Sequence, residues 1–259
     1  MYRGLVVAVL AWAGCHAGQT RPAAAGLPTE DTTDDPPDDP EDASDRLPTA
    51  DANATAGSAH GAAALLAEAR RELARTQTSH YVHHTHVDEA SGTFEFDCSG
   101  FVDYALSRAA PAALRELQAA TVERPLAKHF EATLASATDP ARPWLHIDRV
   151  GELGPGDVIA WLEPPAKRSR NTGHVMIVAA PPSPGARAGE WVVAVIDSSR
   201  SGHGTRDARV RDHRDGLGSG EIVLLVDADD HPVGFRWSTR ARSAPYRTEV
   251  AMGRLRPGY

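Results

Sequence analysis

Residues 96–102 read Phe96-Asp97-Cys98-Ser99-Gly100-Phe101-Val102, and the place of the cysteine within them sets the reading of the whole chain. Asp97 and Ser99 are both candidate helix caps. Phe101, Val102, Tyr104, Ala105 and Leu106 follow at helical spacing, so Cys98 falls at the start of an amphipathic helix. A thiol is a poor nucleophile until it ionises. Unpaired N–H groups at a helix N-terminus favour the thiolate, and the same groups can hold the oxyanion that develops on an attacked carbonyl. Gly100 is expected to leave room for substrate beside the backbone. A single cysteine is more often an inert core residue, but this one is flanked by two polar residues and stands at a helix start rather than on an apolar face.

Two further stretches belong with it. Pro155-Gly156-Asp157 is a turn leading into Val158-Ile159-Ala160-Trp161, and Asn171-Thr172-Gly173 leads into His174-Val175-Met176-Ile177-Val178. A histidine that opens a core strand straight after a glycine can aim its ring at a neighbouring helix end, where a general base for a thiol has to be. Upstream, Leu65, Leu66, Ala69 and Leu73 give residues 62–74 a helical period, and His80–Val87 has the composition of one extended segment. Residues 110–140 add helical signals broken by Pro111 and Pro125. Downstream, Trp191–Ile196, Ile222–Val226 and Val233–Trp237 are strand-like, the last introduced by a hairpin turn at Asp229–Pro232. Helices first and strands afterwards indicate an α+β domain with a mostly antiparallel sheet.

The three stretches, Phe96–Gly100, Pro155–Trp161 and Gly173–Val178, resemble in order the characteristic blocks of the NlpC/P60 cysteine hydrolases, over roughly residues 62–200. The resemblance implies a papain-like fold in which the cysteine helix packs on a sheet carrying the histidine and a third polar residue. It also implies cleavage of amide bonds, mostly in peptidoglycan stem peptides, and needs no cofactor. Cys98 is then the nucleophile and His174 its base. The tyrosine that the family places upstream of the cysteine corresponds to Tyr81, although the glycines that usually follow it are replaced by Val82, His83 and His84. Tyr81, Asp97 and Ser99 are the expected substrate-side residues. About fifty residues separate the cysteine helix from Pro155, which reads as an insertion at about 108–150, and the chain beyond 205 exceeds the minimal domain.

The third catalytic position should lie on the strand after the histidine. Asp197, at the end of the Trp191–Ile196 run, would accept the imidazole N–H and fix its tautomer. His203, in the Ser201-Gly202-His203-Gly204 loop, competes for the role. An aspartate at a strand end also commonly caps a turn. His80, His83, His84 and His86 could suggest a metal site, but no cysteine or close carboxylate other than Asp88 completes a ligand set, so no metal is expected. Phe235 and Trp237 alternate along a strand and read as core or cleft wall.

Composition limits the function classes. The net charge of −8 is concentrated in residues 29–51, which hold ten acidic side chains against Arg46 alone. What remains is near neutral and lacks the basic face that nucleic-acid binding requires. With Cys15 near the start and Cys98 in the body, the two cysteines cannot make a disulfide scaffold. Residues 1–17 resemble a signal peptide: Arg3, an apolar run from Leu5 to Trp12 too short to span a bilayer, and Ala13-Gly14-Cys15 in the manner of a bacterial lipobox. Lipidation at Cys15 and simple cleavage after Ala17 both remain open, and both export the protein. Residues 18–60, rich in Asp and Pro and poor in large apolar side chains, read as a disordered tether, leaving 61–259 as the catalytic domain. An envelope peptide is therefore the expected partner, with membrane attachment through a lipid. Two alternatives remain: an acyl or peptidyl transferase using the same site, and an inactive envelope lipoprotein that keeps the fold as a binding module.

Overall fold

A computed structural model describes residues 61–119, 124–163 and 172–259. The signal-peptide, lipidation (Cys15) and tether readings fall in residues 1–60, outside the described residues, as does Asn171.

Apolar side chains three and four apart wind Ala62–Arg75 into helix α1, which buries Leu65, Leu66 and Ala69. Strands β1 (Thr78–His80), β2 (His86–Asp88) and β3 (Thr93–Glu95) form a small sheet in the order β1-β3-β2. Residues 80–87 are therefore not one extended segment. The chain leaves β1 at Tyr81, whose N–H is held by the Asp215 carboxylate at 3.1 Å, and bends before β2.

Helix α2 (Cys98–Ala109) begins at the cysteine. The Asp97 carboxylate accepts the Gly100 N–H at 2.8 Å as its N-cap, and Phe101, Val102, Ala105 and Leu106 face the core. Helices α3 (Pro111–Ala119) and α4 (Ala127–Ala135) and strand β4 (Trp144–His146) follow. They occupy the stretch expected as an insertion, yet Leu117, Phe130, Leu134 and Trp144 are fully buried. The segment is a wall of the domain, with α4 packed on the sheet.

The remaining strands are β5 (Val158–Leu162), β6 (Gly173–Val178), β7 (Ser183–Pro184), β8 (Glu190–Ser199), β9 (Gly216–Val226), β10 (Pro232–Arg236), β11 (Pro245–Arg247) and β12 (Val250–Leu255), with the short helix α5 (Ala208–Arg211) between β8 and β9. They build a nine-stranded sheet in the order β11-β10-β9-β8-β6-β5-β12-β4, with β7 on β8. Every pairing in it is antiparallel, so the domain is α+β with an antiparallel sheet. Residues beyond 205 are integral to it, because β12 lies between β5 and β4.

One face of the sheet packs against α1, α2 and α4 around Phe96, Phe101, Val175, Ile177 and Ile196. The other face gathers Ile159, Trp161, Met176, Val178, Val195 and Phe235. β10 touches β12 although four strands lie between them in the sheet, so the strands curl around this second cluster. β6 and β8 pair only at Ile177–Ile196 and Val178–Val195. Beyond that point, toward His174 and Ser199, no ladder joins them, and α2 packs against both strands.

Candidate active site

Cys98, His174 and Asp197, far apart in sequence, converge where β6 and β8 part. Cys98 is 4% exposed at the first turn of α2. Among the described residues its backbone N–H and that of Ser99 meet no acceptor, whereas the next two N–H groups are taken by the Asp97 side chain and carbonyl. Two donors at the positive end of the helix therefore stay available beside the sulfur.

His174 opens β6. Gly173 must precede it, because a Cβ there would sit 1.8 Å from the Trp161 carbonyl across the ladder, and its φ of +139° suits glycine. The imidazole packs against two indoles that also meet each other edge-on, Trp161 with ring centres 5.5 Å away and Trp237 at 5.0 Å. Its Nε2 is 2.7 Å from Asp197 Oδ2, leaving Nδ1 for the Cys98 thiol, which acts on the ring from the start of α2. Burial opposes protonation of this ring, but the Cys98 charge and the Asp197 hydrogen bond outweigh it and push His174 up to about 10.

Asp197 is fully buried. Burial disfavours its charge, yet Arg209 and His203, with the hydrogen bonds from both histidines, hold its carboxyl well below the usual carboxylate range. Of the two candidates for the third position, Asp197 touches the His174 ring and His203 does not. His203 lies on the far side of the carboxylate, with Nε2 3.0 Å from Asp197 Oδ1.

Tyr81 reaches the same point. Burial, the Cys98 and Asp97 charges and a hydrogen bond to Cys98 raise its hydroxyl above the ordinary range, while the Arg200 guanidinium lies 5.4 Å from its ring centre. Asp97 and Ser99, expected against substrate, are otherwise engaged. Asp97 caps α2, accepts the Ser99 hydroxyl at 3.0 Å and pairs with both terminal nitrogens of Arg124; Ser99 Oγ also accepts from Arg124 at 2.9 Å. Gly100 leaves no room for substrate either, since a Cβ there would come within 2.8 Å of Thr85 Oγ1 and 3.0 Å of Phe96 Cβ.

The histidines of residues 80–86 are drawn to separate partners, His80 to Asp215 at 3.2 Å and His83 to Asp97 at 3.4 Å. Among the described residues one group has metal-ligand spacing, Asp227, Asp229 and His231, in the exposed β9–β10 turn. There Asp227 is already accepting the N–H groups of Asp229 and His231.

Sequence reasoning missed Arg209, Asp207 and the place of Trp161 beside the His174 ring, while Trp237, which reads as core or cleft wall, lies against that ring. The trace of the first pair is indirect. Gly216, Gly218 and Gly220 alternate on β9, and a Cβ at Gly218 would meet Arg209 Nε at 2.3 Å, while one at Gly220 would meet Asp207 Oδ2 at 2.7 Å.

Fold and site together describe an α+β protein with a buried thiol, imidazole and carboxylate in line. By similarity, the chain belongs to the family of a protein of Acanthamoeba polyphaga mimivirus described as "Uncharacterized protein R653", to which it is 30% identical over 57% of this chain and 70% of that one. No protein-family model and no solved structure matches it.

Proposed function

We propose that the protein is an exported thiol hydrolase of NlpC/P60 type, papain-like in fold, that cleaves amide bonds in cell-envelope peptides through an acyl-thioester on Cys98. The carrying observation is the chain of contacts from Cys98 to His174 to Asp197 at the N-terminus of α2. The Cys98 thiolate attacks the scissile carbonyl carbon, and the free N–H groups of Cys98 and Ser99 receive the oxyanion. His174 gives its Nδ1 proton to the departing amine, and the C–N bond breaks to leave the thioester. Water then attacks, His174 takes its proton, and the acid leaves with the thiolate restored. Asp197 keeps Nε2 protonated and the ring in plane throughout. The peptide substrate and the export route rest on the three sequence blocks and on the apolar run ending at Cys15.

Two measurements test this. Iodoacetamide should alkylate Cys98 well below the pH at which a free thiol reacts. Defined muropeptides should be cut by the wild type and left whole by a folded Cys98→Ser variant. Turnover retained in Cys98→Ser would end the thiol mechanism, and an activated thiol with no cleavage of any stem peptide would move the substrate elsewhere.

A further inference from the structure

Behind the Cys98–His174–Asp197 line lies a second buried layer. Asp197 Oδ1 accepts from His203 Nε2 at 3.0 Å and from Arg209 at 2.8 Å. Arg209, 1% exposed, also donates to Asp207 Oδ2 at 2.8 Å, to Ser199 Oγ at 2.8 Å, and to the carbonyls of Gly216 at 2.9 Å and Asp197 at 3.2 Å. His203, equally buried, has its Nδ1 3.0 Å from the Trp237 carbonyl.

The two ring nitrogens of His203 decide its role. A carbonyl oxygen only accepts, so Nδ1 must carry a proton. An ionised carboxylate only accepts, so Nε2 must carry one too. Either neutral tautomer would point a nitrogen lone pair at an oxygen lone pair in a site without solvent, which is costly. Charge agrees with the hydrogen bonds. Asp197 and Asp207 bring two negative charges and Arg209 one positive, and a doubly protonated His203 closes the balance. The other titratable groups facing this layer are His174 from β6 and Cys98 from α2, which form their own pair. The next charge outward, Arg206, is spent on Glu221 at 3.1 Å. β9 presents only glycine here, with Gly218 directly opposite Asp197 in the ladder.

We infer that His203 is a positioning residue that acts as a buried imidazolium and, with Arg209, holds Asp197 ionised and aimed at His174, so that the relay runs Cys98–His174–Asp197–His203. The arrangement rests on the thiol-hydrolase reading for its purpose but not for its protonation state. His203 sets how strongly Asp197 attracts the proton on His174. With its charge present, part of the carboxylate's field is spent backwards. Without it, the whole field acts on His174, and the ring keeps its proton to higher pH.

Ring nitrogen chemical shifts of the intact protein should show His203 doubly protonated at pH 7, and a neutral ring there overturns the inference. In His203→Gln, which keeps a donor but removes the charge, the His174 ring titration, followed by the same nitrogen shifts, should move up by roughly one pH unit, the influence of one nearby charge in a protein interior. A role confined to packing would lower Cys98 reactivity at every pH and leave the His174 titration in place, which also overturns it. If wild-type Cys98 is no more reactive than a free thiol, it is the hydrolase reading that fails, and the nitrogen shifts still decide the state of His203.

Discussion

His174 Nε2 and Asp197 Oδ2 lie 2.7 Å apart, and the other oxygen of that carboxylate is held by two donors of its own, His203 and Arg209. Both oxygens thus act only as acceptors, which makes the site intolerant of an amide. Asp197→Asn would turn an NH₂ group either toward His174 or toward Arg209 and His203, placing donor against donor.

Activity in Asp197→Asn should therefore fall nearly as far as in Asp197→Ala, each more than tenfold, as expected when a buried acceptor of the imidazole is lost. Asp197→Ala should also cost about 3 kcal/mol of stability, since Arg209 and His203 keep their charges and lose their shared partner. Denaturant unfolding alongside turnover checks both. An Asn variant with near wild-type activity would show that the amide finds a compatible orientation.

The raised His174 gives a pH signature. Its folded-state value of about 10 stands above the ordinary histidine value of about 6.5. The stability it contributes is then fully present below about pH 6.5 and is lost as pH rises through about 10. Cys98→Ser removes the charge that does most to raise the ring, so its ring titration, followed by NMR, should move toward neutrality. An unchanged titration would mean that Asp197 alone holds the proton.

Much of this site can be read along the chain, and the part that cannot has a physical reason. Cys98 and His174 lie in segments whose local pattern marks them, a capped helix start and a glycine before a core strand, whereas Tyr81 is marked only by the family resemblance, in a stretch that reads as extended. Gly216-Leu217-Gly218-Ser219-Gly220 has the composition of a turn, yet it is the first half of β9. Gly218 and Gly220 meet a tertiary demand, the room taken by Arg209, Asp207 and His203, and Gly216 makes room for Ser79; nothing local signals either. Arg209 itself follows an ordinary Asp207-Ala208 pair, and only the folded sheet shows that its guanidinium is enclosed. β12 was likewise unread, because Val250-Ala251-Met252-Gly253 is too mixed to declare a central strand.

Glu72 is a second position at which the folded protein departs from the sequence pattern. It shares the polar run of α1 with Glu68, Arg70 and Arg71, but it is fully buried, and among the described residues neither carboxyl oxygen has a hydrogen-bond partner. Burial and the nearby Glu68 charge push it up to about 9, against a partial opposing effect of Arg71. A carboxyl whose folded-state value is raised binds its proton more tightly when folded, so stability should fall as pH climbs from about 4.5 to about 9. Glu72→Gln removes this titration and should raise stability at pH 7 by about 2 kcal/mol. Thermal unfolding from pH 5 to 9 checks it, and parallel curves for the two proteins would refute it.

Asp97 separates a cap from a substrate contact. Its carboxylate closes the first turn of α2 through Gly100 and anchors Arg124 and Ser99, and the Arg124 pairing and cap bonds outweigh burial to lower it below the usual range. Asp97→Ala should therefore cost about 1 kcal/mol for the cap alone, with a further loss from leaving Arg124 and Ser99 without their acceptor. Asp97→Asn should recover the cap, since asparagine serves there about as well as aspartate, but not the Arg124 ion pair. Asp97→Ala should lower melting temperature and kcat together, because a frayed first turn misplaces the N–H groups beside Cys98, while KM changes little; Asp97→Asn should lower the melting temperature through the lost ion pair and keep most of kcat. If Asp97 instead gripped substrate, Asp97→Asn would raise KM and leave the melting temperature where it was, and the assignment as a cap would have to be abandoned.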